Sequence, residues 1–301
     1  MKTPFNSIFR SLILLVGVVF LYIPNLLAEQ PQSELVIRKF LHDIFNMEVN
    51  NIKIEPGEFC LSIGFPHKIV FINNTAHTIE ISLDDTKIYS FSENRWSSSE
   101  TALVEGKGHQ DAISETDAFT SAIPLLDYFG FSTQKHDYKM VFRDNAHKTT
   151  SSVEDLWGAS WDIRKDLNFN GILCRGRYVL VIISAASGKI VSFLHKPVIE
   201  PQNTMNVEIT YAAAQQVALA WLMTAPHFTG KSPTINTTNT QGEIVIAPKK
   251  DISQENTSCE DAEDAIVTYY CWEVDFNFLE NEKSNPGKIW VNVETGEVIG
   301  E

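Results

Sequence analysis

The sequence predicts an α+β fold class: tandem small domains, each with one helix packed on an antiparallel meander of three or four strands. Two observations lead to this prediction. A strand–turn–strand pattern recurs three times along the 301 residues, and a helix-like segment lies upstream of each copy. A helix on one face of an antiparallel sheet buries the apolar sides of both elements, which is typical of α+β folds.

The recurring pattern covers residues 81–91, 183–193 and 291–300, which read ISLDDTKIYSF, ISAASGKIVSF and VNVETGEVIG. Apolar and polar residues alternate on both sides of a tight turn, as in half-buried strands joined in a hairpin. The second and third copies carry Gly188 and Gly296 in the turn, where glycine adopts a positive φ at little cost. The first copy has Thr86 at that position, so we expect its turn to differ.

Three segments have the apolar spacing of amphipathic helices. They cover residues 33–47, 114–130 and 210–223. In the second segment, Ser114 and Asp117 resemble a capping box, and the internal Pro124 predicts a kink or an early end. The third segment is rich in alanine and ends before Pro226.

A further strand precedes the hairpin in the last two copies. Residues 161–166 and 272–277 both begin with Trp and an acidic residue, and residues 60–65 are the weaker counterpart in the first copy. Residues 226–258 are polar and predict an insertion, in which residues 242–248 have the pattern of an additional strand.

These patterns divide the chain into four predicted parts. They are a signal peptide or N-terminal anchor at 1–28, a degenerate unit at 33–95, a unit at 114–199 and a unit at 207–301 with the insertion 226–258. The spacing of the copies, near one small domain, favours tandem domains over a solenoid of short repeats.

The N-terminus has the form of a secretory signal, with two basic residues before an apolar run at 12–23. The run is shorter than the ~20 residues that a bilayer span needs. We expect cleavage after Ala28, although Leu26 is bulky for its place before the cut, and an uncleaved anchor is the alternative. We therefore expect an exported protein, whether periplasmic, cell-surface or secreted.

The chain is acidic, with 24 Lys and Arg against 38 Asp and Glu and a formal charge of −14. Such a surface repels nucleic acid and anionic lipid headgroups. We expect no nucleic-acid partner, and membrane contact only through an uncleaved N-terminal segment.

The Trp-bearing strands and the hairpins that follow them resemble PepSY-type domains. The third copy carries Trp272-Glu-Val and then KIWVNVETGEVI at 288–299, and the second carries Trp161-Asp-Ile and then YVLVIISAASGKI at 178–190. The helix that begins at Thr210 resembles the early helix of the family, whereas the first copy lacks the Trp and the Gly. The resemblance implies a non-catalytic domain that holds, inhibits or regulates a peptidase, and we expect a free-standing binding protein rather than a propeptide.

Two patterns could hold a metal ion, and for both a structural role is favoured. His109, His136 and His147 fall in one region, but their spacing matches no known metal motif. Residues 166–171 match the first half of a calcium loop, yet Arg177 stands where the bidentate Glu is required. A plain hairpin turn at Asn170-Gly171 is the favoured interpretation.

Four cysteines allow two disulfides in three connectivities; they are Cys60, Cys174, Cys259 and Cys271. Cys259 and Cys271 are the expected pair because they lie in one repeat, and four unpaired thiols are the alternative. Cys174 has neighbouring Arg175 and Arg177, which could lower its pKa, but a structural role is favoured. Gly158-Ala-Ser160-Trp161 lacks the second glycine of a nucleophile elbow, and Ser160 is expected simply to precede a strand.

Two further groups of residues fit structural roles. Four tryptophans are expected in the core, namely Trp157, Trp161, Trp272 and Trp290. An acidic cluster fits the first turn of a short helix, namely Glu260, Asp261, Glu263 and Asp264.

We therefore expect no enzyme, with no catalytic residues, no cofactor and no metal site. The expected function is that of an exported non-catalytic PepSY-like protein that binds or modulates a protein or peptide partner, such as a peptidase. An edge strand of each small sheet could accept a peptide strand. The alternative is an exported small-molecule or metal-ion binding protein, and a third hypothesis is a cysteine-dependent enzyme that uses Cys174.

Overall fold

A computed structural model describes residues 32–49, 51–55, 67–73, 77–93, 112–143, 159–237, 241–249, 267–280 and 283–301. The chain separates into two compact units at Glu48 and Val49. The described part of the first unit is helix α1 (Gln32–Phe45), in which Ile37, Phe40 and Leu41 are buried. Predicted signal residues 1–28 lie outside the described ranges.

The second unit contains the remaining elements. In chain order they are β1 (Ile52–Glu55), β2 (His67–Ile72), β3 (His77–Ser82), β4 (Ile88–Glu93), α2 (Glu115–Tyr128), β5 (Lys139–Arg143), β6 (Ser160–Phe169), β7 (Ile172–Ser184), β8 (Ile190–His195), α3 (Tyr211–Thr224), β9 (Thr234–Ile235), β10 (Glu243–Pro248), β11 (Thr268–Glu280), β12 (Lys283–Asn292) and β13 (Val298–Gly300).

The strands form three antiparallel meanders of four strands each, β1–β4, β5–β8 and β10–β13. The short strand β9 adds to the far end of β11. A helix precedes each meander in the chain. The predicted α+β class, with mostly antiparallel strands, is confirmed.

The last hairpin of each meander closes in nearly the same way. The amide of the residue that begins the loop donates to a carbonyl five residues on, from Ser82 to Lys87 (2.8 Å), Ser184 to Lys189 (2.9 Å) and Asn292 to Glu297 (2.8 Å). Each of these three polar residues is buried. A small polar side chain is needed there because it can accept hydrogen bonds from loop amides that would otherwise be unsatisfied.

The first turn differs from the other two, as expected. Gly188 and Gly296 adopt φ of 74° and 75°, whereas in the first copy the positive φ falls on Asp85 (60°), one residue earlier than the aligned Thr86. Aspartate tolerates the left-handed region better than threonine, whose branched β-carbon crowds the backbone there. The loop therefore keeps its length while the left-handed residue moves.

The predicted helix cap at Ser114 is confirmed, and Thr210 caps the third helix in the same way. The Ser114 hydroxyl accepts the amide of Asp117 (3.1 Å), and the Thr210 hydroxyl accepts the amide of Ala213 (3.3 Å). Helix α2 continues past Pro124 to Tyr128. Helix α3 packs its Tyr211, Ala214, Ala218 and Leu222 on a core formed by one face of β11 and β12.

The first two meanders join through their last strands, β4 and β8, which pair antiparallel. Phe91 and Phe193 hold the same position in their repeats and lie opposite each other in this ladder. Ser90 pairs with Leu194 and Ser92 with Ser192, so the two meanders are related by an approximate twofold axis through the phenylalanine pair.

The third meander joins through β10, which pairs in parallel with β7 at Ile246 and Cys174. The thirteen strands in the described part of the chain thus belong to one hydrogen-bonded sheet. The expected arrangement as tandem small domains is therefore not confirmed, because backbone pairing connects the meanders, through a short ladder between β4 and β8 and a single residue pair between β7 and β10. The predicted domain boundaries themselves stay predictions.

Two sequence-based assignments of strands need correction or extension. Residues 60–65, the proposed first-copy strand, lie outside the described residues, and β2 (His67–Ile72) occupies the equivalent place in the ladder. There Lys68 pairs with Ile81 as Trp161 pairs with Ile183. The additional strand expected at 242–248 is confirmed as β10, although it is integral to the sheet rather than peripheral to an insertion.

Candidate functional site

The motifs proposed for metal binding do not assemble a site in the described part of the chain. His109 and His147 lie outside it, and His136 is largely exposed on a short turn. Asn170 and Gly171 form the two-residue turn of the β6–β7 hairpin, both with positive φ. Asp166 instead forms an ion pair with Arg164 (2.7 Å). The described residues contain no group of three or more His, Cys, Asp or Glu side chains placed to hold a metal ion.

The described cysteines are buried free thiols. Cys271 is not in a disulfide, so the expected pairing with Cys259 is wrong, and Cys60 and Cys259 lie outside the described residues. Burial raises the pKa of both Cys174 and Cys271. For Cys174 a hydrogen bond from the Phe169 backbone and the charge of Arg177 oppose the effect of burial without reversing it. The Cys174 environment therefore disfavours the thiolate that a nucleophile requires.

The tryptophans that begin the repeated strands connect strand, helix and hairpin. The Trp161 indole donates to the carbonyl of Ile113 (3.0 Å), and the Trp272 indole donates to the carbonyl of Ile209 (2.6 Å). Each isoleucine immediately precedes a helix cap, and each donates its own amide to the hairpin loop, at Ala185 and Val293. Trp161 and Trp272 are thus structural, as expected, while Trp157 lies outside the described residues.

The acidic residue after each tryptophan is buried and ion-paired, which sequence reasoning missed. Asp162 pairs with Arg143 of β5, and its side chain is 8% exposed. Glu273, with its side chain 3% exposed, contacts both Arg175 of β7 and Lys288 of β12. The sequence did contain a signal, since an acidic residue follows Trp in both copies.

Glu273 lies at the centre of a network that connects the second and third meanders. Its second carboxylate oxygen accepts the Trp290 indole N–H (3.2 Å), and Lys288 also contacts Asp275 (3.0 Å). Although partial burial lowers the pKa of Lys288, hydrogen bonds to Glu273 and Asp275 raise it overall. The lysine stays charged, and the network holds strands together rather than offering a reactive group.

The strand edges of the sheet are the feature of the fold that can form backbone hydrogen bonds with a partner. In the third meander, the outer edge of the first strand, β10, accepts β7. Strand β5 is the equivalent of β10, because Phe142 pairs with Trp161 as Ile244 pairs with Trp272. Within the described residues, β5 pairs only with β6, so its outer edge carries no strand.

The side chains of β5 alternate between the two faces of the sheet. Lys139, Val141 and Arg143 are exposed, whereas Met140 and Phe142 are half-buried. The Phe142 ring packs edge-on against Trp161, with ring centroids 5.1 Å apart. The strand is therefore anchored through one face, and no described strand covers its outer edge.

A shallow open depression lies immediately before β5. It is lined by Glu115, Gln134, Lys135, His136 and Tyr138. Lys135 forms an ion pair with Glu115 (2.9 Å), and burial together with Asp137 raises the pKa of Tyr138 to about 12. The Tyr138 hydroxyl is thus a neutral donor, and it donates to the Ser132 carbonyl (2.6 Å).

These features define a mixed α+β protein whose antiparallel-dominated sheet branches and leaves strand edges open in its described part. No helix within the described ranges is long and apolar enough to cross a bilayer. The acidic cluster at 260–264 lies outside those ranges.

Comparison with known proteins gives one structural similarity. No family model matches the chain, and no curated protein matches it. Among solved structures, the chain is similar to the Bacillus megaterium YpeB C-terminal domain at 13% sequence identity, covering 89% of this chain and 93% of that chain, with a TM-score of 0.36. At this TM-score the similarity does not assign the chain to a family, and no function is inferred from it.

Proposed function

We propose that this chain is an exported, non-catalytic PepSY-like protein that binds a protein or peptide partner through an open strand edge. The resemblance of the Trp-bearing strands and hairpins to PepSY-type domains makes a peptidase the expected class of partner. The proposal rests on one structural observation, the use of the β10 edge by β7.

That internal pairing is a precedent for the proposed mode of binding. Where β7 meets β10, at Cys174 opposite Ile246, the added strand satisfies backbone groups that would otherwise face solvent, which is how β-augmentation gives affinity. Strand β5 presents the same edge of an equivalent meander, and within the described residues no strand covers it. A partner that offers an extended segment would pair with β5 as β7 pairs with β10.

The direct test is capture of a partner from the exported fraction of the host. The mature chain, beginning after Ala28, is immobilised, and the same chain unfolded in urea serves as the control. We expect a protein that the folded chain alone retains and that, once purified, binds it saturably in titration calorimetry. If that protein is a peptidase, its hydrolysis rate should change on binding. Recovery of no protein with saturable binding would contradict the proposal.

A further inference from the structure

Helix α3 (Tyr211–Thr224) contains no charged residue in its 14 positions. By contrast, α1 and α2 both carry acidic residues in their first turns, and the whole chain has a formal charge of −14. A helix that is apolar on all sides is normally covered by neighbours on all sides. One face of α3 packs on β11 and β12, and this packing does not account for the absence of charge on the opposite face.

The outer face of α3 has the spacing of a seam between two helices. Four side chains that follow one another along it are exposed, namely Ala212, Gln216, Leu219 and Met223. Leu219 and Met223 are 40% and 68% exposed. The alternating steps of four and three residues are those of the a and d positions of paired helices. A narrow stripe of this kind fits one other helix, whereas a helix that packs on a sheet buries a wider face.

The equivalent helix of the second meander shows that the fold does not require this seam. Helices α2 and α3 align from their N-caps, and both bury Ala, Ala and Leu at the same three positions. Where α3 exposes Met223, α2 exposes Asp127. Where α3 exposes Ala212, α2 exposes Thr116. The two helices therefore share a buried face and differ on the outer one, so the neutral seam is specific to α3.

The charge of the chain favours a second copy as the neighbour of this seam. A basic partner would gain most from acidic surface, which α3 does not offer. Another copy carries the same negative charge, so it is repelled by most of the surface and can approach closely only where the surface is neutral. The uncharged face of α3 meets this condition.

The seam is also complementary to itself when two α3 helices lie antiparallel about a twofold axis. The axis then passes midway between Gln216 and Leu219, so that each of these side chains faces the other type across the interface. Met223 lies opposite Ala212 of the partner subunit, which places the largest side chain of the seam against the smallest. A parallel pair would instead set Met223 against its own copy and leave a gap at Ala212.

We propose that the mature chain forms a twofold-symmetric dimer through an antiparallel pair of α3 helices. This interface uses a helix face rather than a strand edge, so it goes beyond the proposed function and does not depend on it. One short helix pair buries less surface than a stable dimer needs, so the dimer is weak and reversible. We expect a dissociation constant of roughly 10 to 100 µM, and in dilute denaturation experiments the chain is then mainly monomeric.

The first test is sedimentation velocity of the whole mature chain from about 5 to about 500 µM. The weight-average mass should rise with concentration from that of one chain towards that of two, and it should fall again on dilution. A mass that stays at one chain over the whole range would overturn the inference.

Two variants locate the interface. Leu219→Glu puts like charges close to the twofold axis and should weaken association by roughly tenfold or more. Thr120→Glu makes the same charge change at an exposed position of α2 and should leave association unchanged. Circular dichroism checks that both variants are folded. Association of the Leu219→Glu variant equal to that of the parent, or an equal loss in both variants, would refute the α3 interface.

A charge pair tests the antiparallel arrangement. Ala212→Glu and Met223→Lys are compatible with the helix, because an acid suits its first turn and a base suits its last turn. Each change alone should weaken association several-fold, and the double variant should regain the affinity of the parent, because the new charges then face each other across the interface. A double variant that associates no better than the single variants would contradict the antiparallel seam.

Discussion

The β4–β8 junction joins equivalent strands of two meanders, whereas the β7–β10 junction joins strands that are not equivalent. The first is antiparallel and centred on two apolar residues, Phe91 and Phe193. The second is parallel, with Ile246 opposite Cys174 and with the Arg175–Glu273 ion pair beside it. One repeat unit can therefore extend a sheet in two ways, through its last strand or through its first.

The difference explains why an edge remains open. In the first two meanders the last strands, β4 and β8, pair with each other. Neither of these edges is therefore available to the third meander. It joins by its first strand, and the equivalent strand of the second meander, β5, is left without a neighbour in the described part of the sheet. The asymmetry between the junctions is thus the source of the proposed binding edge.

The largest expected effect is at the antiparallel junction. Phe193 is fully buried and stacks on Phe129, with ring centroids 4.5 Å apart. Phe193→Ala should lower the free energy of unfolding by ~3–5 kcal/mol, because it opens a cavity in the core. Urea denaturation measures this value. Met223→Ala, at a largely exposed position, should change it by less than ~0.5 kcal/mol, and equal effects would mean that the junction is not a core.

At the parallel junction the expected loss is smaller. Glu273→Gln leaves Arg175 and Lys288 without their carboxylate. We expect a loss of about 2 kcal/mol, less than for a fully buried pair because both cations are partly exposed. Denaturation of the variant and of a double-mutant cycle with Arg175→Met measures the coupling.

The matched control for this junction is Glu297→Gln, which breaks the exposed Lys249–Glu297 pair. It should change stability by less than ~0.5 kcal/mol. If the two variants behaved alike, the Glu273 network would not contribute to the junction.

The hairpin loops, unlike the junctions, should respond equally in the second and third meanders. Gly188→Ala and Gly296→Ala should each cost ~1 kcal/mol, because alanine is strained at a positive φ. Space is not the cause, since an added Cβ would lie 3.5 to 3.6 Å from its nearest neighbours. Gly296→Asn should cost less than Gly296→Ala, since asparagine tolerates this region; the reverse order would contradict backbone strain as the cause.

A further expected effect, in the last strand of the second meander, depends on pH. Burial, with a smaller effect of Lys87, lowers the pKa of His195 in β8 to about 4. Since an unfolded histidine titrates near ~6.5, the unfolded state binds more protons between these values, and stability should fall as pH drops from about 6.5 towards 4. His195→Gln should flatten this part of the stability profile in urea denaturation, and an unaltered profile would contradict the assignment.

The helices and hairpins could be predicted because their signals are local. Ser114 and Thr210 mark helix starts through their own hydroxyl groups, and the loops at Gly188 and Gly296 need a conformation that few residues adopt. Even the exception in the first copy could be predicted, because Thr86 stands where the other two copies have glycine. Such features depend on residues a few positions apart.

The joining of the meanders could not be predicted, because it depends on contacts between distant residues. Nothing near Phe91 in the sequence indicates that it lies opposite Phe193. The burial of Glu273 depends on Arg175, 98 residues away, and a charged residue in isolation favours an exposed position. The sequence likewise could not predict that β5 lies at an edge in the described part of the sheet, because this depends on how all the strands pair.

The most direct test of the account is hydrogen exchange along β5 in the whole mature chain, alone and with a captured partner protein. The account predicts that outward-facing amides of β5 exchange quickly in the free protein and slow when the partner binds, while β10 around Ile246, where it pairs with β7, is slow in both states. Amides of β5 that are already protected, or that the bound partner leaves unchanged, would contradict the claim that this edge is open and accepts a strand.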